Sequence, residues 1–118
     1  MAICLKRVYS APGRQDGFRV LVDRLWPRGV SKEKAEISLW LKEAAPSDDL
    51  RKWVHADPAR WQEFRQRYFA ELKQNPAVLR PILEHARKGN VTLLFASRNE
   101  EQNNAVVLKE YLEAEGSK

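Results

Sequence analysis

Apolar residues fall into three strand-like runs: Ile3 to Tyr9, Phe18 to Val22 and Val91 to Phe95. The first mixes aliphatic and polar positions, whereas the other two are nearly continuous, as expected of strands buried on both faces of a sheet. Ala11-Pro12-Gly13 and Asp16-Gly17 supply the breakers between the first two runs. Trp26-Pro27 and Gly29 end the second, because proline lacks an amide proton and restricts the residue before it. Ile37 to Leu41 fits a short strand or a helical turn equally well, and Ala44-Ala45-Pro46 breaks the chain after it.

Between Pro46 and Val91 the period changes from two to that of a helix. Ser47 is placed to cap a short helix reaching about Val54, and Asp57-Pro58 reads as a cap followed by proline in a first turn. Trp61, Phe64, Tyr68 and Leu72 then recur at helical spacing, with Phe69 widening the stripe. Asn75-Pro76 restarts the chain, Val78, Leu79, Ile82, Leu83 and Ala86 form a second stripe, and Lys88-Gly89 closes it. A last helix is expected from near Glu101, offering Val107, Leu108, Tyr111 and Leu112 for packing. The order strand, helices, strand, helix predicts an α/β fold with a small, mainly parallel sheet covered by helices. No repeat, low-complexity tract or linker divides the chain, so residues 1–118 read as a single compact domain with 115–118 as a frayed tail.

Composition narrows the functional classes. Hydrophobic residues make up 43%, enough for a core, and 31% are charged. Lys and Arg number 21 against 16 Asp and Glu, a formal +5, but the basic residues are spread along the chain among the acids. That distribution argues against a nucleic-acid groove, which needs its positive charge on one face. Cys4 is the only cysteine, so no internal disulfide can form, and it reads as a buried, inert thiol, since reactivity requires exposure and a nearby activating charge. The N-terminus lacks the pattern of a secretory signal, and no apolar run approaches the ~20 residues that span a bilayer. The expected location is the cytoplasm, with no membrane association.

The run Arg19-Val20-Leu21-Val22-Asp23-Arg24-Leu25-Trp26-Pro27-Arg28-Gly29-Val30, preceded by Arg7-Val8-Tyr9, resembles the YeaO-like bacterial family, grouped under domain of unknown function number 488. The likeness continues through Trp40, Ala45-Pro46-Ser47, Leu50-Arg51, Trp61-Gln62-Glu63-Phe64 and Tyr68. It closes on Val91 to Ser97 and Asn104 to Leu108. The resemblance implies a small cytoplasmic α/β protein and supplies no activity, substrate or catalytic residue to carry over.

Candidate chemistry gathers at two strand exits. Asp23-Arg24-Leu25-Trp26-Pro27-Arg28-Gly29 follows one strand and Ser97-Arg98-Asn99-Glu100 follows another. Ligand sites in parallel sheets collect beyond the C-terminal ends of strands, and guanidinium groups suit carboxylates and phosphates. The expected ligand-binding set is therefore Arg24, Trp26, Arg28, Ser97, Arg98 and Asn99, directed at a small anion. Asn99, with Gln102 three residues on, is placed to cap the last helix, whose N-terminus favours anions. Asp23, His55 and Glu100 are the acid–base candidates, while His85, late in a helix, reads as a solvated group. Two other readings stay open. In one, Asp23 or Glu100 pairs the arginines in an internal network. In the other, the protein is a non-enzymatic interaction module or a homo-oligomer, with Trp40 and Trp53 on the contact surface. No GxGxxG or phosphate-loop signature implies a cofactor, and no His or Cys spacing implies a metal.

Overall fold

The computed structural model describes residues 2–116. Four strands, β1 (Ala2–Arg7), β2 (Phe18–Leu21), β3 (Leu39–Trp40) and β4 (Asn90–Phe95), form one sheet in the order β1-β4-β2-β3. Every neighbouring pair is parallel. The two aliphatic runs lie side by side, Phe18 opposite Val91 through Leu21 opposite Leu94, which places their C-terminal ends together. Val91 to Phe95 are all buried, as a continuous apolar run in a central parallel strand should be. The ambiguous segment Ile37 to Leu41 contributes only the two-residue edge strand β3, paired with Val20 and Leu21.

Four helices follow: α1 (Asp48–Ala56), α2 (Trp61–Gln74), α3 (Arg80–Lys88) and α4 (Asn104–Gly116). Their inward residues, among them Leu50, Phe64, Tyr68, Ile82, Leu108 and Leu112, share one cluster with Val20, Val22, Val91, Leu93 and Phe95. All four helices therefore pack on one face of the sheet. Short 3-10 turns, Pro58–Arg60 and Pro76–Leu79, lead into α2 and α3 at the two prolines. Helix α4 starts at Asn104, later than the expected start near Glu101. It continues through Gly116, two residues into the segment 115–118 expected to fray, and positions 117 and 118 lie outside the described residues.

Loops cover the opposite face. Leu21 and Leu94 pack there with Val8 and Ile37, bordered by Val30, Ala35, Trp40 and Ala96. Arg19, almost fully buried, points to the same side. It ion-pairs with Asp16 and donates to the carbonyls of Ala35 (2.7 Å) and Glu36 (3.2 Å). Asp16 also takes Lys6 Nζ at 2.9 Å and the Gly13 amide at 2.9 Å, and its carbonyl accepts from Thr92 Oγ1 at 2.7 Å. One buried guanidinium thus pins both loops over the sheet. Gly17 is required beside this network: it adopts φ +66°, and a Cβ there would sit 2.1 Å from the Asn90 carbonyl oxygen. Cys4 is exposed, not inside the core. Among the described residues, no helix is long and apolar enough to cross a membrane.

Candidate functional site

Beyond the C-terminal ends of β2 and β4, the two exit loops and the helical layer enclose a cleft of about 580 Å³, within the ~300–1,000 Å³ range of small-molecule pockets. One wall is the β2 exit, Asp23 to Pro27, and a second is the β4 exit from Ala96 to Asn104. The third is apolar and comes from the helices: Val54 on α1, Pro58 in the turn after it, and Trp61 and Phe64 on α2.

That helical wall is fixed by hydrogen bonds of its own. Ser47 caps α1 by accepting the Leu50 amide at 3.2 Å, while its own amide and hydroxyl donate to Glu71 of α2 at 2.8 and 2.6 Å. The Tyr68 hydroxyl, fully buried, donates to the carbonyl of Ala44, and burial raises its pKa well above the ordinary phenol value. Both contacts hold residues 44–47 against α2. Arg24 uses that segment as its anchor: Nε donates to the Pro46 carbonyl at 2.9 Å and Nη2 to that of Ala45 at 3.4 Å. Among the described residues, no carboxylate pairs with Arg24. Arg24 thus borders the cleft without a direct ion pair, although Glu71 and Asp23 share its surroundings at the Tyr68 hydroxyl.

A second guanidinium reaches the cleft from α1. Arg51 bonds Asp48 through Nη2 at 2.7 Å, but its Nε is buried and has no hydrogen-bond partner. A buried charged donor without an acceptor is costly. Its helical neighbours Val54 and His55, three and four residues on, also line the cleft.

Asp23 is tied down rather than paired with arginine. Its Oδ2 accepts the Ala96 amide at 2.9 Å, and the side chain of Asn104 bonds it as well. Burial raises its carboxyl above the usual range and outweighs the lowering effect of those two donors. The β4 exit is an asparagine ladder. Ser97 Oγ accepts the Asn99 amide at 3.1 Å, and Asn99 Oδ1 accepts the amides of Glu101 (3.0 Å) and Gln102 (2.9 Å). Asn103 Nδ2 donates to the Asn99 carbonyl at 2.8 Å, and Asn103 Oδ1 caps α4 by accepting the Val106 amide at 3.0 Å. The helix cap is therefore Asn103, and the Asn99–Gln102 pairing read from the sequence forms the turn before it.

Of the residues singled out in the sequence, Asp23, Arg24, Trp26, His55, Ser97 and Asn99 come together in this cleft. Arg28, Arg98 and Glu100 are exposed and do not line it. Gly29, at φ +70°, turns the loop after Arg28, whose carbonyl accepts from the Tyr9 hydroxyl at 2.9 Å. The expected convergence of Arg24, Arg28 and Arg98 is thus replaced by the pair Arg24 and Arg51. Of the tryptophans considered for an interface, Trp53 is covered by Arg60 and Arg67, and Trp40 is half-buried beside Trp26. Among the described residues, no three His, Cys, Asp or Glu side chains are grouped to hold a metal.

The model of the family described as the inactive DUF488-N3 subclade matches residues 2–118. The chain belongs to this family. It is 42% identical over 112 residues to uncharacterized protein YeaO of Escherichia coli (strain K12), covering 95% of this chain and 97% of that one. It is 40% identical over 106 residues to an uncharacterized protein of Mycobacterium tuberculosis (strain H37Rv), covering 90% and 89%. No solved structure matches the chain. In this YeaO-like chain the run Asp23 to Pro27, which carries the resemblance, forms one wall of the cleft, and Pro46, Arg51, Trp61 and Phe64 from the other resembling stretches line it too.

Sequence reasoning missed Arg51, Asn103 and Asn104. Their signals were present. Arg51 lies four residues before His55 on a helix that Ser47 caps, and Asn103-Asn104 stands directly before the apolar run Ala105 to Leu108, the usual position of a cap.

Proposed function

We propose that this protein binds a small anionic ligand in the cleft between the β2 and β4 exits, and holds it without transforming it. The observation that carries the reading is the state of the two cleft arginines. Among the described residues, Arg24 has only carbonyl partners and Arg51 keeps a buried Nε with no acceptor. A carboxylate or phosphate would give Arg24 the charged acceptor that its carbonyl partners do not supply, and would lie beside Arg51, which Asp48 holds through Nη2. Ser97, Asn99 and Trp26 complete the binding set on the rim. The non-catalytic half of the reading follows the description of the matching subclade as inactive. It also follows from Asp23, whose carboxyl is occupied by Ala96 and Asn104.

Isothermal titration with inorganic phosphate and with benzoate tests the reading. Saturable binding that weakens at least tenfold in Arg24→Met and in Arg51→Gln is the expected result, with affinity falling as salt rises. Binding equal to wild type in both variants would place the anion elsewhere and end the proposal.

Exposed apolar side chains favour a second reading, self-association. Leu25 (61% exposed) and Trp26 (36%) border the cleft, and Tyr9 (49%) stands on a neighbouring loop with its hydroxyl bonded to the loop that carries the other two. Sedimentation of wild type against Leu25→Asp decides it: concentration-dependent association lost in the variant supports a homo-oligomer, and a monomer at millimolar concentration removes it.

A further inference from the structure

The cleft is not uniformly polar, and its aromatic wall bears on what the anion carries. Trp61 and Phe64 lie in stacked contact, ring centroids 5.2 Å apart and 25° between planes, and both border the cavity. On the β2 exit, Trp26 is held edge-on to Trp40 at 5.3 Å, and its indole nitrogen donates to the Val30 carbonyl at 2.9 Å. Both indoles are fixed by neighbours before any ligand arrives, so a flat group meeting them gives up little side-chain freedom in the protein. Pro58 and Val54 extend the apolar surface of the same helical wall. An inorganic anion would leave this wall in water. An anion bearing a ring would cover it.

We propose that the cleft selects an anion carrying a flat aromatic or heteroaromatic ring, the ring resting on Trp61 and Trp26 while its carboxylate or phosphate meets Arg24 and Arg51. This rests on the anion-binding reading of the same cleft and adds the identity of the ligand's body. Electrostatics brings any small anion to the arginines; the indoles discriminate among them, because stacking rewards a planar face and a puckered aliphatic body of the same charge makes poorer contact.

Two matched pairs of probes isolate the ring from the head: benzoate against cyclohexanecarboxylate, and adenosine 5′-monophosphate against ribose 5-phosphate. Affinity is measured by calorimetry and by quenching of tryptophan fluorescence. In at least one pair the ring-bearing member is expected to bind about tenfold or more tightly and to quench. The pair that responds shows whether the head is a carboxylate or a phosphate. Trp61→Leu should collapse the ratio within that pair to below about threefold. Trp26→Leu, on an exposed loop outside the core, should do the same if loss of the Trp61–Phe64 stack unfolds the first variant. Equal affinities within both pairs, with binding still dependent on Arg24, would overturn the ring and leave the anion site standing. Failure of all four probes to bind would overturn both.

Discussion

Arg19 lies within β2 and Arg24 just beyond its end, and the structure gives them opposite roles, so replacing each with methionine separates scaffold from site. Arg19 has a side chain only 4% exposed, and it neutralises Asp16, itself 12% exposed. Removing one partner of a buried ion pair typically costs about 3–5 kcal/mol, because the other charge is left without compensation. Lys6 remains beside Asp16 and offsets part of that. The Ala35 and Glu36 carbonyls also lose their donor, a smaller loss because Ala35 is half-buried and Glu36 exposed, where water can replace it. A loss of about 3–5 kcal/mol is expected for Arg19→Met, a large share of the ~5–15 kcal/mol available to a domain of this kind. Arg24 holds one good bond to the Pro46 carbonyl and a long one to that of Ala45, and among the described residues makes no direct ion pair. Its replacement should cost about 1.5–3 kcal/mol, the worth of a hydrogen bond from a charged donor. Urea unfolding followed by circular dichroism reads both. Comparable losses in the two variants would refute the reasoning, since Arg24 would then be part of the scaffold. An Arg19→Met loss below about 1 kcal/mol would show that the loops are held over the sheet by something other than its guanidinium.

Phe64 is 2% exposed, and Phe64→Ala should cost about 3–5 kcal/mol in the same assay through lost burial and a cavity; a loss under 1 kcal/mol would contradict its place in the core. Gly17→Ala should abolish or severely weaken folding, because its Cβ meets the Asn90 carbonyl oxygen at 2.1 Å. Gly29→Ala meets nothing within 4 Å and should cost only the backbone strain, about 1 kcal/mol. Thermal unfolding of the two should differ widely, and similar melting temperatures would refute the close approach. Asp16 and Asp23 should respond to pH with opposite sign. Burial raises the Asp16 carboxyl, but the Gly13 amide, Lys6 and Arg19 outweigh it and hold the value below the ordinary 3.8. Its stabilisation is complete above that value and is lost as pH falls through the lowered one. Asp23, raised by burial, favours folding most when protonated and loses that contribution as pH rises through its raised value. Unfolding free energies of Asp16→Asn and Asp23→Asn relative to wild type across the acid range should therefore diverge in slope; parallel curves would contradict both assignments.

The sheet was legible because aliphatic density decides it. Phe18 to Val22 and Val91 to Phe95 are too apolar for surface strands, though only the structure shows that they are adjacent, and Ser47, Asp57 and Gly89 mark helix ends by local chemistry. The two-residue strand β3 was not, since Leu39 and Trp40 acquire strand character only by pairing with Val20 and Leu21. The cleft was half legible. Residues next to a strand end, Asp23, Arg24, Ser97 and Asn99, were placed by the sheet itself. Arg28 and Arg98 share that neighbourhood in sequence but turn away to solvent, Arg28 directly before the left-handed turn at Gly29. Arg51, Trp61 and His55 enter from the helical layer across a gap no local pattern spans. Arg19 went unnoticed because a charge inside an aliphatic strand announces its partner only through Asp16 three residues earlier.

Amide chemical-shift mapping with inorganic phosphate and benzoate tests the anion cleft most directly. Saturable shifts are expected at residues 23–27, 45–55 and 96–104, lost in Arg24→Met. Absence of saturable shifts would contradict the account, as would shifts confined to the surface groove formed by Pro76, Arg80 and Arg87.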